Sequence, residues 1–309
     1  MVDSRAAAGG AAPEQAARLS TAGHGIRGQL LDRFRLQRAV SVQGCLAVYE
    51  ALAPDGSPVA VRAVCIDGRP SLQRRLDNEY ASLNHLSGFG AVPAVLATGR
   101  TDTERYLVTQ WLPGTHLASI GSGVGPETPT PPLPEVAAAF AHLHVRGVVH
   151  GDVNRRNVLV APCGAVHIID FESSRRLDGN TPVGPVHGPV ATRFAAPEYF
   201  HARRGPAPFT PTPASEQYAI AAVFYRQLTS HYHRNIPADS SQDTGPPPTG
   251  AFALDGPSRS RWPALADILA TALATDPADR FPSTSDFAHA LRRAIAPTGT
   301  RDATQPPAD

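Results

Sequence analysis

Apolar positions along this chain change their spacing from strand-like to helix-like and back. Between Leu30 and Ile66, short apolar runs are broken by polar residues and by Pro54-Asp55-Gly56, a composition suited to a tight turn. This stretch predicts three strands, with that turn between the second and third. From Ser71 to Ser87 the apolar residues are Leu72, Leu76, Leu83 and Leu86, which share one side of a helix. Pro134 to Val145 and Ser215 to Ser230 predict two more helices. A last helix from about Ser285 to Ile295 carries Phe287, Leu291 and Ile295 at spacing four. Val158-Leu159-Val160 and Val166-His167-Ile168-Ile169 read as two buried strands joined by Ala161-Pro162-Cys163-Gly164. The order predicts an α+β chain, a small strand-rich part followed by a larger helical one. Residues 1–28 and 297–309 have no periodic apolar positions and read as flexible tails; Asp239 to Ser260 reads as a Pro/Gly/Ser-rich loop.

Chemistry concentrates in two segments. Val148-Val149-His150-Gly151-Asp152-Val153-Asn154-Arg155-Arg156-Asn157 leads into the first buried strand, and His167-Ile168-Ile169-Asp170-Phe171-Glu172 leaves the second. A hairpin between them returns Asp170 towards Asn157, which lies five positions after Asp152. Phosphoryl transfer is mostly positioning and charge neutralisation, so it needs an acceptor for a hydroxyl proton and oxygen ligands for a divalent ion. Asp152 can accept the proton, and Asn157 and Asp170 can hold Mg²⁺, a hard cation that prefers oxygen. The spacing alone also fits a loop carboxylate beside an ordinary hairpin.

These segments resemble the catalytic and metal loops of the protein kinase-like superfamily, and further motifs resemble it in the same order. Val59-Ala60-Val61-Arg62 is similar to the family's third strand, and Asn78-Glu79-Tyr80 falls where its C helix carries an acidic residue. Tyr106 to Gly114 resembles the strand and hinge between lobes. Ala195-Ala196-Pro197-Glu198 resembles the end of an activation segment, and Glu216-Gln217-Tyr218-Ala219-Ile220 the start of the buried F helix, with Glu where Asp is usual. Asp276-Pro277-Ala278-Asp279-Arg280 resembles the loop whose Arg pairs with the glutamate, here Glu198. The resemblance covers about residues 29 to 296 and implies two lobes, 29–113 with the hinge and 114–296. It also implies ATP and Mg²⁺ as cofactors. Val48 and Ala60 would roof the adenine, Leu159 would floor it, Gln110 and Leu112 would offer hinge backbone, and Arg62 with Glu79 would orient phosphates.

Departures from the family pattern narrow the function. Ser41, Gln43 and Leu46 stand where phosphate-loop glycines would be, and Arg62 replaces the usual lysine. The chain contains no lysine at all, so the exchange is part of a chain-wide preference, yet a planar fork is not equivalent to an ammonium point charge. Gly151 stands in place of Arg, Asn154 in place of Lys, and Glu172 in place of Gly. His-Gly-Asp with Asp-Phe-Glu resembles small-molecule phosphotransferases and the peptide-phosphorylating kinases of lanthionine biosynthesis. The Ala-Pro-Glu segment favours the protein-kinase branch.

Composition changes little else. Net charge +1 and 18% charged residues suggest neither a nucleic-acid nor a membrane partner. Cys45, Cys65 and Cys163 are an odd number without metal spacing, which suggests reduced thiols in a cytoplasmic protein. Neither an export signal nor a spanning segment is evident, and His231-Tyr232-His233 reads as surface. The resulting expectation is a phosphotransferase acting on Ser/Thr of a protein or precursor peptide, with a lyase or other pathway enzyme as partner. A scaffolding pseudokinase and a small-molecule kinase are the alternatives.

Overall fold

The computed structural model describes residues 30–67, 70–121, 132–179, 192–204, 209–229 and 260–295. The expected tails at 1–28 and 297–309, His231 and His233, and the loop 239–260 up to its final residue lie outside these ranges. Strands β1 (Leu30–Leu31), β2 (Phe34–Gln43), β3 (Leu46–Leu52) and β4 (Pro58–Cys65) open the fold. Helix α1 (Pro70–His85) follows, then β5 (Val95–Arg100) and β6 (Glu104–Gln110). They form an antiparallel six-stranded sheet in the order β1-β2-β3-β4-β6-β5. The sequence reading of three strands before α1 omits β1, whose two residues are too few to establish a period.

Alternation decides which residues face the cleft. Ala47, Tyr49 and Ala51 of β3 pack with Val59, Val61 and Ala63 of β4 in one buried face. Their neighbours Val48, Ala60 and Arg62 therefore point to the other face, where they are half-buried. Close packing at the far edge needs a glycine: a Cβ on Gly99 would lie 2.1 Å from the Tyr106 hydroxyl. That hydroxyl donates to Asp32 Oδ2 at 2.5 Å.

The helical lobe begins after the hinge. Its elements are β7 (Thr115–His116), α2 (Leu133–Val145), β8 (Val148–Val149), β9 (Val158–Val160), β10 (Val166–Ile168) and β11 (Arg175–Arg176). Helices α3 (Pro197–Arg203), α4 (Pro213–Thr229), α5 (Leu265–Ala272) and α6 (Thr284–Ile295) complete it. Two small antiparallel sheets, β10-β9-β7 and β11-β8, carry the loops of interest. Helix α4 is buried on nearly every side from Ser215 to Phe224, the mark of a helix at the centre of a lobe rather than on its surface. Phe140, Phe224, Phe287 and Leu291 pack in its core. The three cysteines are free thiols.

Candidate active site

The segment 150–157 is held from below. The Gly151 N–H donates to Glu216 Oε1 of α4 at 2.5 Å. The other oxygen, Oε2, accepts from His144 Nε2 of α2 at 2.7 Å, and His144 Nδ1 lies 2.9 Å from Thr284 Oγ1 of α6. Burial alone would raise the Glu216 carboxyl, but the His144 hydrogen bond and charge and the Gly151 N–H hold it below the usual glutamate value. Three helices thus fix one loop. Gly151 has φ +80°, and a Cβ there would sit 2.2 Å from Ser173 O, so the chain admits no side chain at this position.

Two amides support Asp152. Asn157 Nδ2 donates to its Oδ2 at 3.1 Å and its carbonyl at 2.9 Å, and Asn154 Nδ2 donates to the same Oδ2 at 3.0 Å. Because the Asn157 amide is planar, its nitrogen facing Asp152 turns Oδ1 the other way, as a cation ligand requires. The Ile169 N–H bonds to Asn157 O at 2.9 Å, which carries the next residue, Asp170, back beside the loop. Asp170 adopts φ 68° and ψ 72°, left-handed backbone that only Asp32 shares among the described non-glycine residues with positive φ. Such a conformation costs about 1–3 kcal/mol and persists where its surroundings enforce it. Here His150 Nε2 holds Ile169 O at 3.0 Å, and its ring lies 4.9 Å from the Phe171 ring. Among the described residues no group of three or more His, Cys, Asp or Glu forms a ready metal cage. Two oxygen ligands with phosphate and water completing the shell suit Mg²⁺.

Arg62 reaches across the cleft. Its Nε lies 2.8 Å from Glu79 Oε2, Nη2 2.9 Å from Asp170 Oδ1, and Nη1 2.9 Å from Glu172 Oε2. Glu172 Oε1 in turn meets Arg75 Nη1 at 3.2 Å. Burial pushes Glu79 up to about 7, with Asp170 and Glu172 adding to the rise while Arg62 opposes it. Burial and then Asp170 raise Glu172 as well. Sequence reasoning pairs Arg62 with Glu79 and sets Asp170 beside Asn157, but joins neither Asp170 nor Glu172 to Arg62. Arg75, one helical turn before Glu79, is the signal that could have supplied a partner for Glu172.

Three ordered features agree with a single family: an Arg-Glu pair linking β4 to α1, the Asp152 and Asn157 loop, and Asp170 after a hairpin. A family model described as the protein kinase domain matches residues 44–289. The chain belongs to this family. It is 27% identical over 281 residues to a probable serine/threonine-protein kinase PknB of Corynebacterium glutamicum, covering 85% of this chain and 42% of that protein. It is also 27% identical over 304 residues to the serine/threonine-protein kinase Pkn1 of Myxococcus xanthus, covering 94% of this chain and 42% of that protein. The serine/threonine-protein kinase PknB of Mycobacterium leprae is 29% identical over 216 residues, 65% of this chain and 33% of that protein. The chain therefore spans less than half the length of these relatives.

Within the kinase domain, the remaining residues fall as follows. Gln110 ends β6 and Leu112 lies in the extended hinge after it. Leu159 is buried on β9 against that hinge, with its Cβ 3.3 Å from where a Gly114 Cβ would stand. Val48 pairs with Arg62, and Ala60 is one cross-strand step away on the same face. Ser41, Gln43 and Leu46 sit within the β2–β3 ladder, Ser41 just after a register shift and Gln43 opposite Leu46, so Gly44-Cys45 makes a two-residue turn in place of an open glycine loop. The Arg280 guanidinium grips Glu198 through two 2.8 Å bonds. Polar locks that sequence reasoning misses also tie α1 to the segment after Asp170. Buried Asn78 donates to Glu172 O at 3.1 Å and Ser174 O at 2.7 Å, and Ser174 Oγ donates to Ser82 Oγ at 2.8 Å.

Proposed function

We propose that this kinase domain transfers the terminal phosphoryl group of ATP to a Ser or Thr hydroxyl of a protein or peptide. The observation that carries this reading is the Arg62 guanidinium joining Glu79 to Asp170 across the cleft from the Asp152 loop. Asp152 would accept the hydroxyl proton, its carboxylate oriented by Asn154 and Asn157. Asn157 and Asp170 would hold Mg²⁺, which when bound neutralises phosphate charge. Val48, Ala60 and Leu159 would enclose the adenine, with Gln110 and Leu112 offering hinge backbone. A cleft beside Gly151, walled by Phe194, Tyr199, Phe209 and Pro211, suits an apolar side chain of an extended substrate. The names of the relatives support a Ser/Thr acceptor, and the Glu198–Arg280 pair supports a protein over a small molecule. His-Gly-Asp with Asp-Phe-Glu keeps a precursor peptide, with a lyase as partner, within the proposal. Among the described residues no helix is long and apolar enough to cross a membrane.

A second reading has its own observation. The β2–β3 connection is a two-residue hairpin turn rather than a glycine loop, and each guanidinium nitrogen of Arg62 already faces a carboxylate, as a binding scaffold would tolerate. Radiolabel transfer from ATP to generic acceptors and to the protein itself separates the two. Incorporation that disappears in Asp152→Asn supports the kinase; equal incorporation in both proteins, or none in either beside intact nucleotide binding, supports the scaffold.

A further inference from the structure

Resting on the kinase reading, we infer that Glu172 is a positioning residue that sets the plane of the Arg62 guanidinium, so that Arg62 and Glu172 act as one unit. A guanidinium is a rigid fork with three nitrogens at fixed angles. The Arg62 side chain is 14% exposed, so each nitrogen turned inward needs an acceptor. The three acceptors come from separate places: Glu79 on α1, Asp170 at the end of the hairpin, and Glu172 two residues further. With Glu79 and Asp170 alone the plane could still tilt about the line joining them. Glu172 on Nη1 supplies the third point and stops that rotation.

Glu172 is itself held at both ends. Its Oε1 meets Arg75 Nη1, and Arg75 and Glu79 share the inner side of α1 one turn apart. The contacts close a ring: Arg62 to Glu79, along α1 to Arg75, across to Glu172 and back to Arg62. Its backbone cannot drift either, since Asn78 accepts no slack between α1 and the carbonyls of Glu172 and Ser174. A lysine at position 62 would carry its three donors on one nitrogen, so the three carboxylates, now met by three separate nitrogens, would have to converge on a single point. Glu172 would then be left as surplus negative charge beside Asp170. The requirement is reciprocal: the fork needs a third acceptor, and the third carboxylate needs the fork.

A double-mutant cycle tests this with Arg62→Lys, Glu172→Gly, the double variant and the parent, and with Glu172→Gln as a variant of unchanged size. Transfer per folded molecule, affinity for a fluorescent ATP analogue with Mg²⁺, and melting temperature are measured on all five. Each single change should lower transfer and analogue affinity, and the double variant should retain about tenfold more of each than the product of the two single-variant fractions. Glu172→Gln, which keeps size and loses charge, should fall between parent and Glu172→Gly. Effects that simply multiply in both transfer and affinity would overturn the inference, as would coupling seen only in melting, which is what a merely structural ion pair would give. If the parent transfers no phosphate, the kinase reading fails by itself, and coupling in analogue affinity still decides whether Glu172 positions Arg62.

Discussion

Arg62 is half-buried and Arg280 buried, and the two arginines are satisfied in opposite ways. Arg280 is fully enclosed, meets one carboxylate head-on, and spends its remaining donors on the carbonyls of Ala274, Ala214 and Thr275. Its guanidinium also lies 5.0 Å from the centre of the Tyr218 ring. That arrangement is neutral and complete. Around Arg62 three carboxylates, Glu79, Asp170 and Glu172, face two guanidiniums, its own and that of Arg75. Burial first, and then the Asp170 and Glu172 carboxylates, raise Glu79 to about 7 against the pull of Arg62. Arg280 closes its own charge, whereas the groups around Arg62 leave one carboxylate in excess. On the proposed reading, Mg²⁺ arriving with the nucleotide would supply the balancing charge.

The largest expected effect breaks the chemistry without touching either arginine. Asp152→Asn keeps the shape and removes the proton acceptor, so transfer should fall about 10²- to 10⁴-fold while nucleotide binding persists. Radiolabel incorporation and analogue binding on the same preparations check both halves. Next comes the closed arginine. Arg280→Ala removes the guanidinium partner of Glu198 and should cost about 3 kcal/mol, the lower end for a broken buried pair because Glu198 remains 26% exposed. Denaturant unfolding should show that loss, whereas Arg62→Lys should lose transfer more than stability. The opposite outcome would erase the distinction between the two residues.

Ligand binding sharpens the same contrast at a similar scale. Mg-ATP at a hundred times its dissociation constant should stabilise the domain by about 2.7 kcal/mol. The rise in melting temperature should shrink in Asp170→Asn and be weaker with ATP in the absence of Mg²⁺, since phosphate alone meets surplus carboxylate. An equal shift without the metal would contradict the charge argument.

Acidity should act with opposite sign in the two lobes. Glu216 is held below the ordinary glutamate value, so its stabilising contribution is present above that value and is lost as pH falls through the lowered one. Glu79 is raised to about 7, so its contribution is present below the ordinary glutamate value and is lost as pH rises through about 7. Melting temperature followed against pH should therefore flatten on the acid side in Glu216→Gln and on the neutral side in Glu79→Gln.

What the sequence made legible was local or carried by spacing. Asp152, Asn157 and Asp170 are linked by a strand-turn-strand whose length can be counted, and the helix around Leu76 and Leu83 has a period. The Arg280 and Glu198 pair was legible only through resemblance, because 82 residues separate the partners. The contacts that escaped share one physical trait. Asn78, Ser82 and Ser174, and likewise His144 with Glu216 and Thr284, are polar side chains buried by tertiary packing, and no periodicity marks where such residues meet. Glu172 was visible as an odd residue after Asp170, but its two arginine partners lie 110 and 97 residues away.

The smallest expected effect concerns a third basic position, one this chain does not have. In kinases regulated through the activation segment, an arginine next to the catalytic aspartate grips a phosphate there by charge-assisted hydrogen bonds. Here the neighbour is Gly151, and the backbone forbids any replacement: φ is +80° and Ser173 O occupies the space 2.2 Å from a Cβ. Asn78, Ser82, Arg75 and Glu79 already join α1 to the residues after Asp170 or to Arg62 without any phosphate. Ser173 and Ser174 are themselves buried, and Ser174 Oγ is engaged with Ser82. Phosphatase treatment, verified by mass spectrometry of the 170–198 segment, should leave the rate of transfer unchanged within about twofold, a change of some 0.4 kcal/mol in the barrier. Loss of most activity, restored by rephosphorylation and absent when Ser173, Ser174, Thr181 and Thr192 are replaced by Ala, would show that the contacts between α1 and the segment after Asp170 do not suffice.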